Sequence, residues 1–246
     1  MIILIDGKEC ACEKGEYVLN IASRNGIFIP RFCHHEGLPG QASCRVCIVE
    51  AETGGYRQVV ASCVYPVEQE MRIYTNSEKI KNLRAMVLSL LSARAPGSDR
   101  AAAMLKYAGG AVPDRFTVLP DERCIVCGLC VRACESVGPG AISAIGRGIE
   151  KRVSTPYDTP SDACIGCASC AAACPTEAIK VSEDAHTRMI WGKAFPLVHC
   201  EKCGETLGTA EELAFAAKTS GHEAPKLCGA CKKKAIADVL ATAYGH

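Results

Sequence analysis

The chain has 246 residues, 18 of them cysteine, with 5% aromatic residues and a formal net charge of +1. That balance supplies no field for holding nucleic acid or an anionic membrane, and so many thiols beside so few aromatic rings imply an interior filled partly by metal. The longest apolar run, residues 85–93, is about half of the roughly 20 residues that cross a bilayer. No direct membrane insertion is expected, and a reducing, cytoplasmic location favours metal over disulfides.

The chain begins "MIILIDGKEC", with Asp6 where a signal peptide would need its hydrophobic stretch. The pattern predicts a strand, a turn at Asp6-Gly7, a second strand, then a helix from about Tyr17 to Asn25 ended by Gly26. Cys10 and Cys12 read as an isolated pair of small hydrophobes, one of them facing the core. An irregular loop follows, and strands are expected at about 46–50, 57–62 and 69–74.

Loop and strand end together deliver Cys33, Cys44, Cys47 and Cys63 as C-x10-C-x2-C-x15-C. Four thiolates so placed suit a planar 2Fe-2S centre, two per iron; a zinc site is the alternative. His34 and His35 invite a Rieske-type reading, in which two histidines replace two thiolates. With all four thiol positions filled, they read instead as loop histidines near solvent. The element order fits a β-grasp ferredoxin, and the long first gap resembles the variety found in complex I and hydrogenases rather than plant-type C-x4-C-x2-C.

Residues 77–114 contain neither His nor Cys. Ile80, Leu83, Val87, Leu90 and Leu91 fall on one helical face and read as core packing, "APGSD" breaks the helix, and a second helix runs through Ala101 to Tyr107.

Cys124, Cys127, Cys130 and Cys134 then form C-x2-C-x2-C-x3-C, and Cys164, Cys167, Cys170 and Cys174 repeat it. In paired runs of this kind three thiolates wrap one 4Fe-4S cube and the fourth reaches the other. This assigns one cluster to Cys124, Cys127, Cys130 and Cys174, and the other to Cys134, Cys164, Cys167 and Cys170. Zinc, the competing metal, needs four tetrahedral ligands and would waste this winding geometry. Pro175 follows the second run, whereas Glu135 follows the first.

"ERCIVCGLCVRACESVGPGAI" resembles the dicluster domain of the large iron-sulfur subunits of respiratory complex I, iron hydrogenases and the diaphorases of NAD-reducing hydrogenases. In the larger members a segment ahead of this domain supplies one His and three Cys for a further cluster. Residues 77–114 have none, so that cluster is expected to be missing here.

The last segment carries two C-x2-C knuckles, Cys200 with Cys203 and Cys228 with Cys231, separated by a helix with a capping box at Thr209 and Glu212 and an end at Gly221. The four thiolates form a closed tetrahedral site. Ligand softness leaves zinc, a mononuclear iron or a further cluster open. This segment resembles the tail of formate-hydrogenlyase polyferredoxin subunits.

No G-x-G-x-x-G follows a strand and no G-x4-G-K-[ST] occurs. Histidines 34, 35, 186, 199, 222 and 246 have no Ser or Asp partner suggesting a triad. The sequence therefore reads as a non-catalytic α+β electron carrier in four parts. These are a β-grasp 2Fe-2S ferredoxin domain at 1–76, a helical linker at 77–114, a dicluster 4Fe-4S domain at 115–190, and a four-Cys metal module at 191–246.

The resemblance implies an electron-transfer subunit of a soluble multi-subunit oxidoreductase. Its implied partners are a flavin and NAD(P)H-binding subunit and a catalytic hydrogenase or formate dehydrogenase-type subunit, with ferredoxin linkage and bifurcation as variants. A free-standing polyferredoxin shuttle and a redox-sensing DNA-binding regulator are the competing readings.

Overall fold

The computed structural model describes residues 1–244 apart from 117, 119 and 224; His246, named above, lies outside the described residues. Strand β1 (Ile2–Ile5) turns at Asp6 and Gly7, both in the left-handed region, into β2 (Lys8–Ala11). Helix α1 (Val18–Arg24) buries Val18, Leu19, Ile21 and Ala22. After the loop come β3 (Ile48–Thr53), β4 (Tyr56–Ala61) and β5 (Arg72–Tyr74). The sheet order is β2-β1-β5-β3-β4, with β1 and β5 parallel and every other pair antiparallel.

Ile3 and Ile5 alternate inward with Cys10 and Cys12, and all four are buried. The expectation that one cysteine of this pair faces outward fails for a geometric reason: residues two apart on extended chain point to the same face.

Helix α2 (Glu78–Arg94) is capped by Ser77, whose hydroxyl accepts from the Ile80 amide at 3.3 Å. Its buried face is Ile80, Arg84, Leu88, Ser89, Ser92 and Ala93. Of the predicted stripe Ile80 is fully buried and Val87 and Leu91 pack at the edge of the core, whereas Leu90 is half exposed, so the packed face is rotated partway round from that stripe. The turn is set by Arg84, which goes inward to reach backbone carbonyls. Helix α3 (Asp99–Tyr107) is capped by Ser98 in the same manner.

Helix α4 (Leu129–Val137) carries the end of the first cysteine run, and β6 (Ser143–Ile145) pairs with β7 (Arg152–Ser154) beyond it. The four-residue α5 (Ser169–Ala172) carries the end of the second run. Strands β8 (Val181–Glu183), β9 (Thr187–Ile190), β10 (Lys193–His199) and β11 (Thr206–Thr209) form one antiparallel sheet in the order β11-β10-β9-β8. Trp191 and Gly192 join β9 to β10 with both φ values positive (54° and 73°), as a tight hairpin twist requires. The sheet therefore runs across residues 190 and 191, so the two parts that the sequence divides there share a hairpin.

Helix α6 (Ala210–Ser220) starts at Thr209, whose hydroxyl accepts from the Glu212 amide at 3.1 Å, and ends at left-handed Gly221. Helix α7 (Gly229–Tyr244) closes the described chain. Among the described residues no helix is long and apolar enough to cross a membrane.

Candidate metal centres

The loop between α1 and β3 brings Cys33, Cys44 and Cys47 beside Cys63, which follows β4; all four are buried. The loop takes left-handed backbone at Ala42 and Arg45, and the Cys44 amide donates to the Cys33 sulfur at 3.3 Å. Ser62 donates from both its amide (3.1 Å) and its hydroxyl (2.8 Å) to the Cys47 carbonyl, fixing the strand end to the loop. Gly40 passes so close that a Cβ there would sit 2.8 Å from the Cys63 carbonyl oxygen.

The thiols act as two hydrogen-bonded pairs. Sharing a proton with Cys44 pushes Cys33 up, and the same bond lowers Cys44 to about 6. Cys63 is likewise pushed up by Cys47, which falls to about 7. In each pair one thiol is thus favoured as thiolate, the form in which cysteine ligates metal. His35 is exposed and its Nδ1 accepts from the Gly37 amide at 3.1 Å. His34 is half-buried, and burial lowers its pKa.

Cys124, Cys127, Cys130 and Cys174 line a single cavity of about 850 Å³, with Ile125, Ile179 and Trp191 among its walls. Burial pushes Cys127 up to about 11 and Cys130 up to about 12, the Cys174 and Cys124 charges adding to both. Cys134, from the first run, is instead the neighbour of Cys164 and Cys170, both raised chiefly by burial and then by Cys134. The structure thus brings each three-thiol group together with the last thiol of the other run.

The two runs share a backbone device that their letters hide. The second residue after the first cysteine is left-handed in both, Val126 (φ 54°) and Gly166 (φ 71°). The residue after the second cysteine is left-handed in both, Gly128 (φ 74°) and Ala168 (φ 58°). The first of these turns aims an amide at sulfur, Val126 N–H donating to Cys124 Sγ at 3.3 Å; beyond the runs, Ala141 N–H donates to Cys134 Sγ at 3.2 Å and Ala178 N–H to Cys174 Sγ at 3.3 Å. Trp191 Nε1–H adds a bond to Cys170 Sγ at 3.5 Å.

The four C-terminal sulfurs, of Cys200, Cys203, Cys228 and Cys231, all lie within 4.8 Å of one another. The Cys228 amide donates to Cys200 Sγ at 3.3 Å and the Cys231 amide to Cys228 Sγ at 3.5 Å. That first bond holds Cys200 down at about 6, whereas its contact with Glu205 pushes Cys228 up to about 12. The first knuckle lies in the loop between β10 and β11, and the second opens α7. Phe195 on β10 and the buried hydroxyl of Thr209, which donates to the Ile165 carbonyl, anchor this part to the second cysteine run.

The first two thiol sets meet in one buried cluster, to which α2 and α3 add Leu88, Ala101 and Leu105. Phe32, Cys33, Cys44, Val46, Ile125, Cys127 and Leu129 belong to the same cluster. Arg132 on α4 donates through Nη2 to the Cys33 carbonyl at 2.8 Å and through Nη1 to the Pro39 carbonyl, clamping the two cysteine-bearing loops. Sequence spacing singled out the sixteen clustered thiols; it missed Arg132, Trp191 and the bond from Thr209 to the Ile165 carbonyl. These residues act through tertiary contacts that no local pattern encodes.

Comparison with known proteins finds iron-sulfur domains in the same stretches of chain. Residues 1–78 match the family of 2Fe-2S iron-sulfur cluster binding domains, and residues 117–181 match the family of 4Fe-4S dicluster domains. The chain is 29% identical over 228 residues to an NADH-quinone oxidoreductase subunit of Rhizobium meliloti, covering 82% of this chain and 26% of that protein. It is 33% identical to the NADH-ubiquinone oxidoreductase 75 kDa subunit of Reclinomonas americana, over 62% of this chain and 25% of the relative. The NADP-reducing hydrogenase subunit HndD of Solidesulfovibrio fructosivorans is 30% identical, over 73% and 36%. The chain thus spans about a quarter to a third of the length of these relatives. Among solved structures, a chain of an NAD+-reducing NiFe-hydrogenase in the H2-reduced state superposes with a TM-score of 0.55 at 29% identity, covering 63% of this chain and 74% of that one.

Proposed function

We propose that this chain, which carries a 2Fe-2S cluster binding domain and a 4Fe-4S dicluster domain, is a non-catalytic electron-relay subunit of an NADH- or NADPH-linked oxidoreductase or hydrogenase complex. Its organisation is a β-grasp domain over 1–76, a helical linker over 77–114, a dicluster domain over 115–190, and a four-Cys module over 191–246 tied to the dicluster domain by the shared sheet. One 2Fe-2S centre would be held by Cys33, Cys44, Cys47 and Cys63. Two 4Fe-4S centres would be held by Cys124, Cys127, Cys130 and Cys174, and by Cys134, Cys164, Cys167 and Cys170. Zinc would sit on Cys200, Cys203, Cys228 and Cys231, in a closed site that leaves no position for substrate.

The residues fit these groups: the C-terminal sulfurs lie within 4.8 Å of one another, Cys124, Cys127, Cys130 and Cys174 line one cavity, and backbone amides donate to sulfur in each region. A bound iron-sulfur centre supplies reversible one-electron chemistry. The chain's own part is to hold the thiolates, to donate N–H groups to them, and to keep water out with Phe32, Val46, Ile125 and Leu129.

The observation that carries the reading is the single buried cluster holding Cys33, Cys44 and Cys127. With no ligand-bearing segment in residues 77–114, a direct junction between the first two centres is what a relay without the missing cluster needs. Exposed Ile236, Val239, Leu240 and Tyr244 along α7 support a subunit rather than a free shuttle, since a freely diffusing carrier gains nothing from an uncovered apolar stripe.

The partners proposed are a flavin and NAD(P)H-binding subunit and a catalytic subunit of hydrogenase or formate dehydrogenase type, with ferredoxin linkage and bifurcation as extensions of the same reading. Anaerobic purification from the native source tests it. A flavoprotein should co-purify, and NADH or NADPH should bleach the chain's visible absorbance only when that subunit is present. Bleaching by pyridine nucleotide with the chain alone, or a partnerless chain with no iron, would overturn the proposal.

A further inference from the structure

Arg84 is 3% exposed. Its Nε donates to the Val46 carbonyl at 3.1 Å, and its Nη2 to the carbonyls of Ile48 at 2.8 Å and Thr75 at 2.9 Å. Nη1 reaches the Asn76 side-chain oxygen at 3.2 Å. Every acceptor is neutral. Among the described residues no carboxylate lies within ion-pair distance of this guanidinium.

The charged groups around it are already engaged or lie further off. Asp6 takes the amide and hydroxyl of Thr75, Glu50 takes Ser77 and Lys79, and Tyr107, Cys47 and Asp6 act on Arg84 only through the longer-range field. A guanidinium does not shed its proton in a protein, and a buried ion without a counter-charge is among the costliest features a fold can carry. The anion source joined to Arg84 by this bonding is the thiol set whose third member, Cys47, directly follows the Val46 carbonyl that Arg84 holds.

We infer that Arg84 is the buried counter-charge of the 2Fe-2S centre, so that the linker helix is an electrostatic part of that centre and raises its reduction potential. The inference rests on the proposed assignment of Cys33, Cys44, Cys47 and Cys63. Two ferric ions, two sulfides and four thiolates sum to a charge of about −2, and one added electron makes it about −3. A fixed cation in a low-dielectric setting favours the more negative state. Arg84 neither gains nor loses a proton; the electron comes from and returns to the redox partner.

The interaction also explains why an arginine faces inward on a helix that otherwise offers leucines. Packing alone would be served by Met or Leu at this position, and the three carbonyls of Val46, Ile48 and Thr75 orient the fork without neutralising it. Helix docking and cluster loading are therefore linked, since the burial of the cation is offset only when thiolates are present.

The test is a redox titration followed by electron paramagnetic resonance on the full chain, prepared anaerobically, as wild type, Arg84→Lys, Arg84→Met and Arg84→Gln. Removing the charge should shift the 2Fe-2S reduction equilibrium at least tenfold toward the oxidised form, a fall of about 59 mV for one electron. Arg84→Lys should stay within threefold of wild type, and the 4Fe-4S signals should move by less than threefold in every variant. An unmoved 2Fe-2S potential in Arg84→Met or Arg84→Gln, or an equal fall in Arg84→Lys, overturns the inference. Where the neutral variants do not assemble the centre, Arg84→Lys decides: a retained signal upholds the counter-charge, and a lost one reduces Arg84 to a hydrogen-bonding role. Absence of a 2Fe-2S signal in the wild type would instead refute the ligand assignment itself.

Discussion

Replacing Gly166 by alanine tests how the C-terminal sheet holds the second cysteine run. A Cβ at this position would lie 2.6 Å from Cγ and 2.9 Å from Cδ1 and Cδ2 of Phe195, squarely against the face of a ring that is fully buried. The backbone there has φ of 71°, which costs an L-residue about 1–2 kcal/mol; forcing a methyl into the ring adds about 1–3 kcal/mol of overpacking. Ala168, two residues on, sustains nearly the same backbone with φ of 58°, so the second term carries the specific claim.

Gly166→Ala should therefore destabilise the loaded protein by about 2–5 kcal/mol and preferentially shed the cluster of Cys134, Cys164, Cys167 and Cys170. Phe195→Leu makes room, and the double variant should be more stable than the two single losses predict, by about 0.5–3 kcal/mol. Thermal unfolding with iron analysis of all four proteins completes the cycle. Additive losses, or a Gly166→Ala protein with wild-type stability and iron, would refute the packing argument.

Val126 is β-branched and left-handed, so Val126→Gly should raise stability by about 1 kcal/mol, seen as a higher thermal midpoint, with the iron content unchanged. Trp191→Phe removes the indole N–H bond to Cys170 Sγ and should lower the potential of that 4Fe-4S centre by about 20–65 mV, one hydrogen bond expressed for one electron; an unmoved potential would show that the contact has no electronic role. Zinc binding at the C-terminal site should weaken sharply as pH falls through about 6, where Cys200 takes up its proton. Above that it should still strengthen with pH, since Cys228 and Cys231 are raised and must release theirs. Competition with a chromophoric chelator should show affinity rising with pH through neutrality, and a flat profile would contradict the thiol assignments. Cys231→Ser should lose one zinc and keep all iron.

Much of the fold was legible in the sequence, and the candidate thiol sets stand out by their local spacing. The five strands and α1 of the first sheet lie within a few residues of their predicted places, since alternating apolar letters and Gly punctuation specify them directly. The face of α2 was not legible: a leucine stripe predicts packing only when no single side chain has a stronger reason to turn inward, and Arg84 has one. The sheet spanning residue 190 was hidden because "WG" is an unusual letter pair for a tight hairpin. The matched left-handed turns were hidden because glycine occupies different positions in the two runs, leaving Val126 and Ala168 to adopt the same backbone.

The central claim, that sixteen thiols are divided among three iron-sulfur centres and one tetrahedral metal site, is tested most directly by metal and sulfide analysis of the anaerobically prepared chain. About ten irons and about ten acid-labile sulfides are expected per chain, with about one zinc. Iron and sulfide near zero beside several zincs would contradict it.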